Sequence, residues 1–290
     1  MLNDAVSFAS DLLSDVDADT VQAALNKLDV VARESVRSSL AGKDPANCLA
    51  TFSGGIDSSI LAVLSNKVEK IRLFSLGEDR SSDVQFLKGL NLMENKLDPP
   101  IIKTATKSEI EEAGIHVARL LELSSLSQLE DCTAFYLIAK KLLQDFRNAT
   151  CIITANGPDE LFCGYDRFRR LADSGGYATI DEEISRSLQV AYRLKDDVKA
   201  VLQEFGLSSI DPFLSEDFVE LSRQIPVDLK IMKGNDRLRK RVWRLYGRTL
   251  GLPDSIVLKP KKAMQYSMGV HQTLIKIVRR GEIRIPKTTK

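Results

Sequence analysis

Seven consecutive residues, Ser53-Gly54-Gly55-Ile56-Asp57-Ser58-Ser59, combine two glycines, three hydroxyls and a carboxylate. They follow a short apolar run and precede a helical pattern, so their N–H groups would lie where a strand ends and a helix begins, a place where anions bind. Glycines allow close backbone approach, serines donate hydrogen bonds and Asp57 can hold magnesium. The segment predicts a phosphate site, although a turn capped by Asp57 and Ser58 is the simpler alternative. It is neither a Walker P-loop nor a GxGxxG loop.

A second polar segment, Asn156-Gly157-Pro158-Asp159-Glu160, follows another apolar run. If both runs are parallel strands, Asp57 and Asp159 lie at the same edge of the sheet and could share a magnesium ion that contacts bound phosphates. The alternative for Asp159 and Glu160 is a helix cap with structural carboxylates.

Three short apolar runs closed by turn residues predict strands at 48–52, 71–76 and 151–155. Helical patterns lie between them, so we expect an α/β fold, a mostly parallel sheet with helices on both faces. From residue 166 onward the pattern is helical, with polar loops at 173–179 and 206–212. This predicts a helical C-terminal part.

The first 45 residues are predicted to be a helical lead-in. Apolar residues recur at steps of three and four from Val21 to Leu40, behind an N-cap at Asp19-Thr20. The predicted division is therefore a lead-in at 1–45 and one domain at 46–290, with an α/β core to about 165 and a helical part at 166–290.

Composition excludes several classes of protein. The chain has 290 residues, 41 basic and 40 acidic, and a formal net charge of +1, which does not suit a surface built for nucleic acid. No apolar run approaches the ~20 residues of a membrane span, and the N-terminus lacks a secretory signal. We expect a cytoplasmic protein without nucleic-acid or membrane partners.

The four cysteines form no CxxC pair, so we expect buried, reduced thiols rather than disulfides.

The first segment resembles the pyrophosphate-binding loop of the ATP pyrophosphatase superfamily. Residues 156–165, NGPDELFCGY, resemble the G-x-G-A/S-D-E-L/V-F-G-G-Y signature of the synthetase domain of asparagine synthetases. Segments 74–77, 211–214 and 261–269 are also similar to that family. The resemblance covers about residues 46–275.

This resemblance implies an adenine nucleotide alpha hydrolase-like fold, with ATP and Mg²⁺ as cofactors. It implies that a carboxylate, foremost that of aspartate, attacks the α-phosphate of ATP, and that ammonia then converts the acyl-adenylate to asparagine, releasing AMP after pyrophosphate. The residues expected to contact ATP and pyrophosphate are Ser53, Gly54, Gly55, Asp57, Ser58, Leu76, Gly157 and Arg237.

The resemblance also suggests roles for other side chains. Lys262 foremost, and Lys261, would stabilise charge on the departing pyrophosphate; Lys240 and Arg237 are further candidates, and a solvated loop is the alternative for these cations. Asn156 would lie beside the acyl-adenylate. The residues expected to face the second substrate are Glu122, Asp159 and Glu160, and those expected to hold the metal are Asp57 and Asp159.

The sequence departs from the family at several positions. Asn156 replaces the usual glutamate, and an amide cannot act as a general base. Cys163 and Pro158 replace small residues. Leu2 stands where glutamine-hydrolysing members have their N-terminal cysteine, so we expect no glutaminase domain. Nitrogen would then come from ammonia, another amine or a separate glutaminase subunit.

Two alternatives to an asparagine-forming enzyme stay open. One is a related amide- or lactam-forming enzyme with another substrate, and the other is a non-catalytic nucleotide-binding scaffold protein. We also expect a homodimer as one assembly that the chain could form.

Overall fold

A computed structural model describes residues 12–13, 15–78, 82–90, 97–174, 177–232, 236–260 and 269–285. The first part of the chain contains α1 (Ala18–Leu40), β1 (Cys48–Thr51), α2 (Ile56–Val68), β2 (Arg72–Gly77), α3 (Ser82–Gly89), β3 (Ile101–Thr104), α4 (Lys107–Leu120), α5 (Leu126–Asp145) and β4 (Cys151–Ile153). The second part contains α6 (Pro158–Leu161), α7 (Asp166–Ser174), α8 (Ala178–Gln203), β5 (Ser208–Ile210), α9 (Glu216–Gln224), α10 (Val227–Lys230), α11 (Arg241–Thr249), α12 (Asp254–Val257) and α13 (Val270–Arg279).

The five described strands form one parallel sheet in the order β3-β2-β1-β4-β5, which confirms the expected α/β fold. Ala50 in the central strand lies between Leu73 and Ile153. The strand order reverses between β1 and β4, and their carboxyl ends form the crevice in which ligands of such sheets bind. The predicted loop at 206–212 is wrong in part, because Ser208–Ile210 pairs with β4 as an edge strand.

Helices cover both faces of the sheet. Alternating residues of β1 face opposite sides: Cys48 and Ala50 belong to the core under α1, α2 and α11, whereas Leu49 belongs to the core under α4, α5 and α13. The two polar loops after β1 and β4 are therefore held by strands that are buried on both faces.

Helix α1 has the buried stripe that its periodicity predicts, including Val21, Leu28 and Val36. The predicted N-cap is wrong by two residues. The helix begins at Ala18, and the Asp17 carboxylate accepts a hydrogen bond from the Thr20 N–H, because an acceptor one residue before the helix reaches the third free N–H of the first turn.

The cysteines differ from the sequence-based expectation. Cys48 and Cys151 form a disulfide, so the prediction of reduced thiols is wrong for these two. Parallel pairing of β1 with β4 places them opposite each other with 4.8 Å between their Cα atoms, within the usual disulfide range. Cys132 and Cys163 are free and buried.

In the described part of the chain, no helix combines the length and the apolarity needed to cross a membrane.

Candidate active site

The glycine loop between β1 and α2 is held by its own hydroxyls. The Ser53 N–H donates to Ser58 Oγ (3.2 Å), Ser58 Oγ donates to the Gly55 carbonyl (3.2 Å), and the Gly55 N–H approaches Ser53 Oγ (3.3 Å). Gly54 has φ +66°, and a Cβ there would lie 2.9 Å from the Leu87 side chain. The backbone is thus fixed close to the N-terminus of α2, where anions are favoured.

Asp57 and Asp159 come together through a third residue. Lys240 Nζ lies 2.6 Å from Asp57 Oδ2 and 2.7 Å from Asp159 Oδ1, and the Lys240 side chain is almost fully buried. The other Asp57 oxygen accepts a hydrogen bond from Trp243 Nε1 at 2.9 Å. The two strand ends therefore present the two predicted carboxylates as a pair, with a buried ammonium between them.

A strained turn before α11 aims Lys240 at this pair. Arg239 and Lys240 both have left-handed backbone angles, φ +53° and +54°. The turn is held because Asp236 accepts from the Arg239 N–H (2.7 Å) and Arg239 Nε donates to the Gly164 carbonyl (2.9 Å). A Cβ on Gly164 would lie 2.3 Å from Lys240 Cε and 2.1 Å from Asp159 Oδ1, so only glycine fits there.

Glu160 lies next to Asp159 and is buried at the cleft wall. Burial, and then the charge of Asp159, raises the pKa of Glu160 to about 7. Burial and the nearby carboxylates hold the pKa of Tyr165 well above its ordinary range, so its phenol stays protonated and donates to Glu160 Oε1 at 2.6 Å. Glu160 can therefore exchange a proton near neutral pH.

Asn156 is oriented by a carboxylate from beyond β5. Its Nδ2 donates to Asp211 Oδ1 at 2.9 Å, and the Thr154 hydroxyl donates to the same oxygen. Gly157 has φ +114°, and a Cβ there would lie 2.4 Å from the Phe213 carbonyl oxygen. Because Asp211 holds the amide nitrogen by a hydrogen bond, the same contact fixes the direction in which the Asn156 carbonyl oxygen points.

These groups meet in a cleft of about 220 Å³ at the carboxyl ends of β1, β2 and β4. The glycine loop, the end of β2 and α3 line it with residues Ser53, Asp57, Ser58, Phe74, Leu76, Val84 and Leu87. The loop after β4, α5 and α8 also line it, with residues Asn156, Gly157, Glu160, Tyr165, Ser127, Asp131, Phe135, Ile138, Ala191 and Leu194.

Most of the predicted site residues meet here. The cleft is lined by Ser53, Asp57, Ser58, Leu76, Asn156, Gly157, Asp159 and Glu160, and Gly54 and Gly55 belong to its loop. Glu122, between α4 and α5, and Arg237, before α11, are exposed and do not line the cleft. Lys261 and Lys262 lie outside the described residues.

Three contributors were not predicted. Trp243 orients Asp57, Asp211 orients Asn156, and Asp131 lines the cleft from α5. Only Asp211 carried a signal, because it lies in the 211–214 segment that resembles the family.

Magnesium fits this site in part. Within the described residues, no group of three or more His, Cys, Asp and Glu side chains could hold a metal ion. Asp57 and Asp159 offer carboxylate oxygens, which magnesium prefers, and its remaining ligands would be phosphate oxygens and water, the usual arrangement in nucleotide sites.

Comparison with known proteins finds relatives named as an asparagine synthetase or as proteins with an asparagine synthetase domain. The chain is 25% identical to the Methanocaldococcus jannaschii protein named "Putative asparagine synthetase (glutamine-hydrolyzing) 1", over 87% of this chain and 51% of that protein. It is 27% identical to the Drosophila melanogaster "Asparagine synthetase domain-containing protein CG17486", over 74% of this chain and 43% of that protein. The human "Asparagine synthetase domain-containing protein 1" is 24% identical over 76% of this chain and 45% of its own length.

The chain thus spans about half, or less, of the length of these relatives. Residues 27–206, more than half of the chain, match the model of the asparagine synthase family. The protein with this lysine-bridged carboxylate pair beside a glycine loop belongs to the asparagine synthase family.

Proposed function

We propose that the chain uses ATP to adenylate a carboxylate and then transfers the acyl group to an amine, forming an amide, AMP and pyrophosphate. The family and the names of its relatives support ATP-dependent amidation with asparagine as the product. The name of the Methanocaldococcus jannaschii relative says that it hydrolyses glutamine, whereas for this chain we propose aspartate and ammonia as the substrates. The observation that carries the proposal is the buried Lys240 ammonium between Asp57 and Asp159, next to the glycine loop.

Phosphate binding would use the glycine loop and the start of α2. The serine hydroxyls of the loop and the free N–H groups of the helix provide donors, and a partial positive charge lies at the same end of α2. Asp57 and Asp159 would hold magnesium, which neutralises phosphate charge when ATP is bound. Lys240 keeps the two carboxylates together and adds positive charge where pyrophosphate leaves.

In the first step the acceptor carboxylate oxygen bonds to the α-phosphorus, and the bond from that phosphorus to pyrophosphate breaks. In the second step the amine nitrogen attacks the acyl carbon, the bond from that carbon to the AMP oxygen breaks, and the amine loses a proton. Glu160 is the proton acceptor in this proposal, because its pKa of about 7 suits the task and Asn156 cannot perform it.

The nitrogen donor belongs to the same proposal. Free ammonia needs no further residue, whereas glutamine would need a glutaminase, supplied by another subunit or by a part of the protein outside this sequence. Comparing ammonium with glutamine as the donor in the purified chain separates these sources. Amide formation with ammonium alone is the expected result.

Carboxylate-dependent exchange of labelled pyrophosphate into ATP tests the adenylation step directly. The expected result is exchange only when MgATP, the chain and an acceptor carboxylate are all present, and loss of exchange in Asp57→Asn. Binding of ATP without exchange for any carboxylate would refute the enzyme and favour a nucleotide-binding scaffold.

A further inference from the structure

Arg244 is a fully buried arginine on α11, one helical turn after Lys240. Its Nε donates to the carbonyl oxygens of Leu238 (3.0 Å) and Arg239 (2.8 Å), the two residues that precede Lys240. Its backbone N–H donates to the Lys240 carbonyl at 2.8 Å. The turn that carries Lys240 is therefore bound to Arg244 through three consecutive carbonyl groups.

The same guanidinium holds a second segment. Its Nη1 donates to the carbonyl oxygens of Val257, the last residue of α12, and of Lys259, the latter at 3.0 Å. Because a guanidinium is rigid and planar, its nitrogens fix the positions of the two segments relative to each other. Arg244 thus joins the turn before α11 to the chain that leaves α12.

The turn has backbone angles that it does not favour by itself. Arg239 and Lys240 are consecutive left-handed residues, a conformation that is unfavourable for residues other than glycine and persists only when surrounding contacts impose it. Asp236 supplies one such contact, because its carboxylate accepts from the Arg239 N–H at 2.7 Å. Arg244 holds the carbonyl groups of the same turn, so both sides of its backbone are bound.

The Lys240 side chain takes its direction from this turn. Its Nζ lies 2.6 Å from Asp57 Oδ2 and 2.7 Å from Asp159 Oδ1, so the ammonium has little freedom of position. A change of Lys240 from left-handed to the common right-handed angles would redirect its Cα–Cβ bond, because the backbone angles set the direction of that bond. Whatever fixes the turn therefore also fixes the ammonium between the two carboxylates.

On the basis of the proposed function, we propose that Arg244 is a positioning residue for the departure of pyrophosphate. It does not line the cleft, and it acts through Lys240 by holding the turn that places the ammonium between Asp57 and Asp159. The shape of the guanidinium is needed as well as its charge. A lysine ammonium offers its donors at a single point and cannot reach both segments at once.

Arg241→Lys on the same helix is a matched control for Arg244→Lys. Arg241 is also buried, and its guanidinium donates to the carbonyls of Leu12 (2.6 Å) and Asp228 (2.7 Å), which lie outside the turn. Both substitutions keep a positive charge and lose contacts to carbonyl groups, so both should lower the melting temperature. Only Arg244→Lys should change the position of Lys240.

The single tryptophan of the chain reports that position. Trp243 Nε1 donates to Asp57 Oδ1 at 2.9 Å, so its indole N–H gives one NMR signal that depends on the charge of Asp57. Loss of the ammonium from the other Asp57 oxygen makes Asp57 a stronger acceptor and should move this signal to higher frequency. We expect that shift in ligand-free Arg244→Lys and a much smaller one in Arg241→Lys. An unmoved signal in folded Arg244→Lys would overturn the inference.

A double-mutant cycle tests whether Arg244 acts through Lys240. In the exchange of labelled pyrophosphate into ATP, we expect Arg244→Lys to lower kcat about a hundredfold, as loss of one group that stabilises transition-state charge does. In a Lys240→Met background the same substitution should change kcat by less than about twofold, because the ammonium that it positions is already gone. An effect of about a hundredfold in both backgrounds would make Arg244 a merely structural residue and overturn the inference.

Native-state hydrogen exchange tests the same link in wild-type chain, so a variant that fails to fold does not decide the matter. If Arg244 holds the turn, its Nε–H and the Arg239 backbone N–H become exposed in the same opening event. Their exchange rates should then rise together with added denaturant. Exchange of the Arg239 N–H while the Arg244 Nε–H stays protected would show that the turn opens without Arg244, and would overturn the inference.

Failure of this inference and failure of the proposed function give different results. If the indole signal and hydrogen exchange behave as expected but no carboxylate supports pyrophosphate exchange, the placement of Lys240 by Arg244 stands and the amide-forming activity is refuted. If pyrophosphate exchange occurs and Arg244→Lys changes neither the indole signal nor kcat, the activity stands and the role of Arg244 is refuted.

Discussion

Lys240 and Asp57 are separated by 183 residues and form a buried ion pair, with 2.6 Å between Nζ and Oδ2. Asp159 shares the same ammonium at 2.7 Å. A carboxylate pair of this kind is unfavourable in a cleft without a cation, and the fold provides one from the turn before α11. The fold itself therefore holds the two carboxylates and their shared ammonium together.

Removal of this ammonium should destabilise the protein. Lys240→Met leaves Asp57 and Asp159 close together without their shared cation, and we expect the free energy of unfolding to fall by about 3–5 kcal/mol in urea denaturation. Asp57→Asn in the same chain should recover part of the loss, because it removes one of the facing charges. Lys199→Met, exposed on α8, is the control. Equal stability of Lys240→Met and wild type would contradict the ion-pair account.

Gly164 tests how tightly the site is packed. Gly164→Ala would place a Cβ against Asp159 Oδ1 and Lys240 Cε, so the pair must separate. We expect a stability loss of about 1–3 kcal/mol and ATP affinity lowered about tenfold by calorimetry. Gly89→Ala adds a Cβ that meets no atom within 4 Å and should change neither. Normal ATP binding by Gly164→Ala would show that the pair tolerates separation.

The pH profile tests Glu160. If Glu160 accepts the amine proton, the rate of amide formation rises with pH as this residue ionises around its pKa of about 7. Glu160→Gln cannot ionise, so this inflection should disappear and the rate above pH ~7 should fall by about a hundredfold or more. An unchanged inflection in Glu160→Gln would assign the proton to another group.

The same group links pH to stability. Its pKa of about 7 in the folded protein lies above the 4.5 of an ordinary glutamate, so the folded state binds this proton more tightly than the unfolded state. This contribution is fully present below pH ~4.5 and is lost as pH rises through about 7. Between those values Glu160→Gln should lose less stability than wild type, as thermal melts at several pH values would show. Parallel loss in both would contradict the raised pKa.

Asn156 and Asp211 give a further test. Asn156→Asp replaces the donor with a carboxylate 2.9 Å from Asp211 Oδ1, which we expect to lower the free energy of unfolding by about 1–3 kcal/mol at pH ~8. Asp211→Asn in the same chain restores one donor and should recover much of it in urea denaturation. An additive effect of the two substitutions would mean that the residues do not interact.

Much of the site could be predicted because its two loops come directly after two apolar strands. The apolar runs ending at Phe52 and Ala155 are closed by glycine, asparagine and proline, so the loops at one sheet edge were evident from local pattern. The parallel fold and the family were confirmed. The edge strands β3 and β5 were missed because few of their residues are buried, unlike those of the equally short strands β1 and β4.

Contacts between distant segments were harder to predict. Lys240 was one of several candidate cations, and its place depends on two left-handed residues that composition does not reveal. The Cys48–Cys151 disulfide depends on strand register across 103 residues. Asp131 has no sequence signal because its place in the lining of the cleft depends on how α5 packs in the fold. Lys261 and Lys262 stay predictions.

Product analysis tests the central claim most directly. The purified chain is incubated with MgATP, ammonium and a set of carboxylates that includes aspartate and monocarboxylic amino acids, and AMP, pyrophosphate and amides are identified by mass spectrometry. We predict AMP, pyrophosphate and one amide in equal amounts, all lost in Asp57→Asn. The account would be contradicted if the chain binds ATP but forms no AMP with any acceptor. It would also be contradicted if Asp57→Asn still forms AMP.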